Sequence, residues 1–138
     1  MRAETLDTQY QNRWAIVLAG GDGKRLRTLT RQLGYDVPKR FCPLLEQDAL
    51  LQLTLRRVGR SIYPSQTQTI VTRSHERFFS PLMAELAHHD LQQNLIVQPD
   101  NRGTAVAIAY AAFRLAEIDP AASVAVFPSD HWFSDDAS

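Results

Sequence analysis

The feature that most constrains the fold is an alternation of short apolar runs with longer segments of helical periodicity. Mostly apolar or β-branched residues occupy 14–19, 67–72, 95–97 and 123–127, which predicts four strands. The run at 14–19 has the pattern of a strand buried on both faces, and 123–127 is predicted as a further buried strand. The segments between them have the length and spacing of amphipathic helices. Because parallel strands need long crossover connections, this order predicts an α/β fold, a mostly parallel sheet with helices on both faces.

Three helices are predicted between these strands. Residues 49–62 place apolar side chains at helical spacing, with arginines on the other side. A second helix is expected over 74–86, unless Ser80 and Pro81 begin it anew as N-cap and first residue. Residues 104–117 are alanine-rich and apolar nearly all round, which predicts a helix buried against a flat surface such as the sheet.

Composition supports one domain and excludes several classes of function. Of 138 residues, 44% are hydrophobic, enough to bury one core, which we assign to residues 14–138. The chain has 15 basic and 15 acidic residues, whereas proteins that bind nucleic acid or a membrane surface need a basic excess. The apolar runs are all shorter than the roughly 20 residues of a membrane span. We therefore expect no nucleic-acid partner and no membrane association.

The N-terminal segment and the cysteine content bear on location. Residues 1–13 are polar and mixed in charge, so we interpret them as a leader before the domain and not as a secretory signal. The single cysteine, Cys42, has no internal disulfide partner, which favours a reducing compartment. The sequence thus predicts a cytoplasmic protein.

Three segments are expected at the edge of the sheet where ligands bind. In parallel α/β sheets that edge lies outside the carboxyl ends of the strands. Residues 20–30 follow the first predicted strand, 98–104 follow the third and 128–131 follow the fourth. We predict that the functional site is built from these segments.

The first of these segments combines glycines with dense positive charge. Gly20, Gly21 and Gly23 let the backbone approach a ligand without interference from a Cβ, and leave N–H groups free to bind an anion. The basic residues that follow, interrupted only by Asp22 and Asp36, are Lys24, Arg25, Arg27, Arg31, Lys39 and Arg40. This pattern predicts a compact polyanion such as a polyphosphate, although a tight turn beside a solvated basic face has the same pattern.

The segment does not fit the common nucleotide motifs. The P-loop pattern G-x-x-x-x-G-K-[ST] does not match it, and the dinucleotide fingerprint requires a glycine where Leu26 stands. We also predict no helix beginning there.

Lys39 and Asp130 are two further candidates. Lys39 follows Pro38, and a turn fixed by proline aims a charge better than a flexible loop does; a surface turn with a solvated lysine is the alternative. Asp130 comes just after the last predicted strand, a position suited to a ligand of Mg²⁺, which prefers oxygen. An Asx turn or a helix cap would explain Asp130 equally well.

Four segments together resemble the sugar-1-phosphate nucleotidyltransferases. They are 20–26 (GGDGKRL), 38–41 (PKRF), 98–105 (QPDNRGTA) and 127–131 (FPSDH). The chain is most similar to the mannose-1-phosphate guanylyltransferase branch, from about residue 14 to 136. The resemblance implies a Rossmann-like nucleotide-binding half of the catalytic domain. It also implies transfer of a nucleoside monophosphate from GTP to mannose 1-phosphate, with Mg²⁺ as cofactor, giving GDP-mannose and pyrophosphate.

Individual roles follow from the motif match alone. The residues that would hold the base and phosphates of GTP are Ala19, Gly20, Gly21, Asp22, Gly23, Lys24 and Arg25, with Gln98, Asn101, Gly103 and Thr104 in the segment that would face the guanine. Arg25 would contact the leaving phosphates, Lys39 the reacting phosphates from the other side, and Asp130 would bind Mg²⁺. His131 is interpreted as a structural hydrogen-bonding group. His75, His88 and His89, in polar sequence surroundings, are assigned no role.

The chemistry requires cations more than a general base. A sugar 1-phosphate is already ionised near neutral pH, because its second pKa is about 6. The reaction must therefore bring two anions together in line and stabilise charge on the departing pyrophosphate. Lys39 and Arg25 would supply that charge, so no Ser, Cys or His nucleophile is needed.

Length is the main departure from the family, whose catalytic domains are longer than this chain. The resemblance implies that the sugar-binding residues and a second acidic metal ligand lie beyond this part, and that a sheet edge or apolar face is left uncovered. We expect the 138 residues alone to be weakly stable, self-associating as a homo-oligomer, or catalytically silent. The alternatives are a non-catalytic nucleotide-binding or regulatory homologue, and the same chemistry with another NTP and hexose 1-phosphate.

Overall fold

The computed structural model describes residues 11–21, 27–32, 34, 41, 43–45, 48–85 and 89–131. The strands in these ranges are β1 (Arg13–Ala19), β2 (Pro43–Leu45), β3 (Asp48–Ala49), β4 (Thr67–Thr72), β5 (Leu95–Gln98) and β6 (Ser123–Pro128). The α-helices are α1 (Arg27–Gln32), α2 (Leu50–Val58), α3 (Glu76–Glu85), α4 (His89–Gln93) and α5 (Thr104–Ile118). Short 3₁₀ helices cover Pro64–Gln66 and Arg73–His75.

Four strands form a parallel sheet in the order β5-β4-β1-β6. β1 pairs with β4 from Ala15 opposite Thr67, and with β6 from Arg13 opposite Ser123. β4 pairs with β5 from Thr69 opposite Leu95. The predicted parallel α/β fold is confirmed. A separate antiparallel pair, β2 with β3, was not predicted, because strands of two and three residues are too short to show a period of two.

Helices cover both faces of this sheet, as predicted. Successive residues of a strand point to opposite faces, so β1 contributes to two apolar layers. One layer joins β1 and β4 to α2, α3 and α4 through Ala15, Val17, Ala19, Val71, Leu51, Leu55, Val58, Phe79, Met83 and Leu91. The other joins β1, β4 and β5 to α5 through Trp14, Ile16, Ile70, Ile96, Ala107, Ala111 and Leu115.

The bounds of α2 and α3 differ from the predictions, and α1 and α4 were not predicted. α2 ends at Val58 and not at residue 62, because the chain leaves the helix at Gly59 and turns. α3 runs from Glu76 to Glu85 with Pro81 inside it, so the helix does not restart at this proline. α1 begins at Arg27, within the segment 20–30, where no helix was predicted.

α5 packs against the sheet along one side only. It lies over β1 and β4, and the side chains that it buries are those of Ala107, Ala111 and Leu115, which recur every four residues. On another side, Tyr110 is exposed and Phe113 is 75% exposed. The predicted packing of this helix against the sheet is therefore confirmed, and the sheet covers only one stripe of it. α5 has 15 residues, and no helix in the described ranges is both long and apolar enough to cross a membrane.

The prediction that residues 123–127 form a buried strand is also wrong. β6 pairs with β1 on one side and is the outer strand of the four-stranded sheet in the described residues. Val124 and Val126 share the face on which α5 packs, but α5 lies over β1 and β4, so each valine remains 41% exposed. This agrees with the expectation that a sheet edge and an apolar face are uncovered.

Candidate functional site

The order of the strands fixes where a ligand site can form. The chain moves outward from β1 to β4 and β5, then crosses back to place β6 on the other side of β1. In open parallel sheets, ligands bind at the carboxyl edge where the strand order reverses in this way. Gly20 and Gly21 follow β1 at this edge, Gln98 ends β5, and Asp130 follows β6.

A cavity of about 140 Å³ lies at this edge. It is lined by Leu18, Gly20, Gly21, Ile70, Gln98, Asn101, Gly103, Thr104 and Ala107. Leu18, Ile70 and Ala107 form its apolar wall, and the other residues provide main-chain groups and polar side chains. The structure therefore brings the two predicted nucleotide-binding segments together, although about 80 residues separate them in the sequence.

The turn before α5 is set by Asn101 and Gly103. The Asn101 Oδ1 accepts a hydrogen bond from the Gly103 N–H at 3.0 Å, which is an Asx turn. Gly103 has φ +95° and ψ 163°, a conformation that is almost restricted to glycine. α5 then begins at Thr104, so the unpaired N–H groups of its first turn and its positive dipole end lie beside the cavity.

Gly20 is required by the close approach of two side chains. A Cβ at this position would lie 3.0 Å from the Thr72 Oγ1 and 3.1 Å from the Gln98 Oε1. The Thr72 hydroxyl donates a hydrogen bond to the Gly20 carbonyl at 2.6 Å. The carboxamide of Gln98 is thus held against the first residue of the glycine segment, at the wall of the cavity.

Thr72 and Ser129 are site residues to which the sequence assigned no role. The Ser129 hydroxyl donates to the Leu18 carbonyl at 2.6 Å, and both hydroxyl side chains are buried. The usable signal in the sequence was a hydroxyl residue at the end of each strand that flanks β1. That signal is weak, because such residues are common where strands end.

Asp130 is a candidate metal ligand with an accessible carboxylate. Its side chain is 45% exposed, and the His131 Nε2 lies 3.7 Å from its Oδ1, too far for a hydrogen bond. Among the described residues there is no cluster of three or more His, Cys, Asp or Glu that could hold a metal ion. Mg²⁺ is commonly held by one or two carboxylates together with substrate phosphates, so Asp130 fits a magnesium ion that arrives with a nucleotide.

Several predicted site residues lie outside the described residues, namely Asp22, Gly23, Lys24, Arg25 and Lys39. Ala19 is described, and its side chain is fully buried in the core layer beside Val17. Ala19 can therefore contribute only main-chain groups to a ligand.

His75 occupies an aromatic environment and not the polar one that its sequence neighbours suggested. It is buried, with its ring centroid 5.8 Å from that of Phe41 and 6.3 Å from that of Phe78. Phe41 stacks on Phe78 at 5.9 Å. The last residue of the PKRF segment is thus anchored in the core, an anchor that only the tertiary structure reveals.

The model of the nucleotidyl transferase family matches residues 14–138. The chain belongs to this family. The matched range includes all the residues that line the cavity and the end of β6. The sequence-based recognition of the family is therefore confirmed.

Curated members of the nucleotidyl transferase family include relatives that are more than 30% identical to this chain. The chain is 38% identical to mannose-1-phosphate guanylyltransferase 2 of Escherichia coli O157:H7, over 77% of this chain and 21% of that protein. It is 31% identical to the alginate biosynthesis protein AlgA of Pseudomonas aeruginosa, over 87% of this chain and 24% of that protein. The chain thus spans about a quarter of the length of these curated relatives.

Solved structures agree with the fold. The crystal structure of a Thermus thermophilus protein, described as a mannose-1-phosphate geranyltransferase, superposes with a TM-score of 0.71 at 33% identity. That match covers 91% of this chain and 34% of the other. The inositol-1-phosphate CTP transferase of T. maritima has a TM-score of 0.55 at 23% identity, a likeness in fold alone.

Proposed function

We propose that this chain is the nucleotide-binding part of a cytoplasmic enzyme that transfers GMP from GTP to mannose 1-phosphate. The observation that carries the proposal is the cavity at the carboxyl edge, where Gly20, Gly21, Gln98, Asn101 and Thr104 meet. Relatives named as mannose-1-phosphate guanylyltransferases support GTP and mannose as the substrates. Because the chain spans about a quarter of these relatives, we assign nucleotide binding to it and turnover to the whole protein.

The cavity suits a nucleobase better than a whole nucleotide. Its volume of about 140 Å³ is below the range of roughly 300–1,000 Å³ for sites that enclose a drug-sized ligand. The carboxamides of Gln98 and Asn101 each offer a donor and an acceptor, which matches the mixed donor and acceptor edge of guanine. In this proposal the base occupies the cavity, and the phosphates extend out along the edge of the sheet.

The reaction follows from charge and positioning. A phosphate oxygen of mannose 1-phosphate, already ionised, attacks the α-phosphorus of GTP; a P–O bond forms, the bond to the β-phosphate breaks, and pyrophosphate leaves with the electron pair. Main-chain N–H groups of the turn that begins with Gly20 and Gly21 favour the bound anion. Arg25 and Lys39 are proposed to neutralise the leaving and reacting phosphates. Asp130 would hold Mg²⁺, which when bound supplies further charge neutralisation.

Calorimetry on the chain tests the nucleotide assignment. We expect GTP with Mg²⁺ to bind more tightly than ATP, CTP or UTP, and Gln98→Ala to weaken GTP binding about tenfold by removing a group that pairs with the base. Asp100→Ala is the matched control, because Asp100 lies in the same loop but outside the cavity. Equal affinity for all four nucleotides, or no binding, would contradict the proposal for GTP.

A pyrophosphate-release assay tests turnover. The whole protein, to which we assign turnover, is incubated with each NTP and with mannose 1-phosphate or glucose 1-phosphate. Release that requires GTP and mannose 1-phosphate supports the proposal. Release with another pair would instead indicate the same chemistry on other substrates, and binding without release a nucleotide-binding homologue.

A further inference from the structure

The main chain at the end of β1 leads directly into Gly20 and Gly21. β1 lies between β4 and β6, and its pairing ends with Ala19 opposite Val71 on one side and Leu18 opposite Pro128 on the other. Pro128 has no N–H to donate to the sheet. The backbone therefore enters the glycine segment at the point where strand pairing stops.

Two buried hydroxyl groups donate hydrogen bonds to the backbone where the strand pairing ends. Thr72, the last residue of β4, donates to the Gly20 carbonyl at 2.6 Å, and Ser129, just after β6, donates to the Leu18 carbonyl at 2.6 Å. The two donors lie on the strands that flank β1, so they hold its carboxyl end from opposite sides. We call this pair of contacts the hydroxyl clamp.

The clamp fixes the direction of an N–H group at the cavity. The Gly20 carbonyl and the Gly21 N–H belong to one planar trans peptide unit, in which they point in opposite directions. Thr72 holds the carbonyl, so the Gly21 N–H is directed away from Thr72. Gly20 and Gly21 both line the cavity, and glycines would otherwise sample many backbone conformations.

We propose that Thr72 and Ser129 are positioning residues for nucleotide binding, which orient the backbone from Leu18 to Gly21 before the ligand arrives. The inference rests on the proposed function, because it assumes that a nucleotide binds at this cavity. Without the clamp, Gly20 and Gly21 must be ordered on binding, and the loss of conformational freedom lowers affinity. A role limited to stabilising the fold would leave the affinity of the folded chain unchanged.

The chain supplies a matched control at the other end of β4. The hydroxyl of Thr67 donates to the Tyr63 carbonyl at 3.0 Å, and the Thr67 side chain is buried like that of Thr72. Thr67→Val removes the same kind of hydrogen bond from the same strand at the edge opposite the cavity. It therefore reports the cost to stability alone.

The experiment compares binding of GTP with Mg²⁺ by calorimetry and unfolding by heat in the wild type and four variants. We expect Thr72→Val and Ser129→Ala each to weaken binding roughly three- to tenfold, the equivalent of one ordinary hydrogen bond. Thr72→Ser keeps the hydroxyl and should bind within about twofold of wild type. Thr67→Val should lower the melting temperature without changing affinity.

The outcomes separate this inference from the proposed function. The clamp does not position Gly20 and Gly21 if the wild type binds GTP and Thr72→Val binds it equally well. The same conclusion follows if Thr72→Ser weakens binding as much as Thr72→Val does. If the wild type binds no nucleotide, the proposed function is contradicted and the inference fails with it.

Discussion

The indole Nε1–H of Trp14 donates a hydrogen bond to the Asp119 carboxylate at 3.0 Å, which joins the start of β1 to the end of α5. Asp119 also accepts a hydrogen bond from the Ala121 N–H at 3.1 Å. One side chain thus fixes the turn between α5 and β6 and ties it to the central strand. This contact lies at the amino edge of the sheet, opposite the candidate site.

Asp119→Ala should lower the free energy of unfolding by about 1–3 kcal/mol, because the largely buried indole N–H of Trp14 loses its acceptor. Urea denaturation measures the change. Glu117→Ala, at an exposed position of α5, is the control and should change stability by less than about 0.5 kcal/mol. The Trp14 contact contributes nothing to the fold if both variants unfold at the same urea concentration.

Gly103→Ala should destabilise the chain by about 1–3 kcal/mol and weaken nucleotide binding. A Cβ at Gly103 meets nothing within 4 Å, so the cost comes from the backbone conformation and not from a clash. Asparagine tolerates the ordinary left-handed region but not ψ near 163°, so Gly103→Asn should not restore stability. Thermal unfolding of both variants checks this, and a Gly103→Ala chain as stable as wild type would contradict it.

Gly20→Ala should weaken nucleotide binding, because the added methyl would push against the Thr72 hydroxyl and the Gln98 carboxamide at about 3 Å. We expect a reduction of roughly tenfold, with the hydrogen bond from Thr72 strained. Gly59→Ala, in a helical conformation after α2, is the control and should leave affinity unchanged. Calorimetry with GTP and Mg²⁺ compares the two, and equal affinities would show that the segment can adjust to a side chain.

Thr69→Val should raise the free energy of unfolding by about 1 kcal/mol, because the Thr69 hydroxyl is buried and has no hydrogen-bond partner among the described residues. Thr67→Val is the natural comparison, since it has the opposite expected sign: it removes a hydroxyl that donates to the Tyr63 carbonyl. Chemical denaturation of both variants measures the difference. A loss of stability in Thr69→Val would contradict this prediction.

Val126→Lys should reduce self-association. β6 presents uncharged side chains at the edge of the sheet, and Val126 is 41% exposed, so an added charge should oppose pairing between edges. Sedimentation at increasing concentration should give a larger average mass for wild type than for Val126→Lys. Val106→Lys, at an exposed position on α5, is the control and should associate like wild type. Equal behaviour of all three chains would exclude β6 as the associating edge.

Local pattern predicted the strands well and their burial less well. β4 matches the predicted residues 67–72, because the β-branched run is bounded by turn residues on both sides. β6 was also located, but its burial depends on which strands and helices lie beside it. α5 shows the same limit, since an apolar composition does not reveal how wide a surface the sheet covers.

The candidate site was predictable where a motif contains a glycine that the backbone requires. Gly20 and Gly103 were predicted as site residues, and the structure explains them by a close approach and by a positive φ. Thr72 and Ser129 act through contacts with residues 52 and 111 positions away, and no local pattern encodes such pairs. The contact of His75 with Phe41, which is distant in the sequence, was missed for the same reason.

The cavity has a consequence for the order of events during folding. Its wall combines residues at the end of β1 with residues that follow β5 and begin α5. The cavity therefore does not exist until the connections between the strands have formed and β5 has paired with β4. An unfolded chain therefore offers nothing for the ligand to recognise. Any nucleotide that enters this cavity acts by mass action on the folded population, and a hundredfold excess over its dissociation constant would add about 2.7 kcal/mol to the conformational stability.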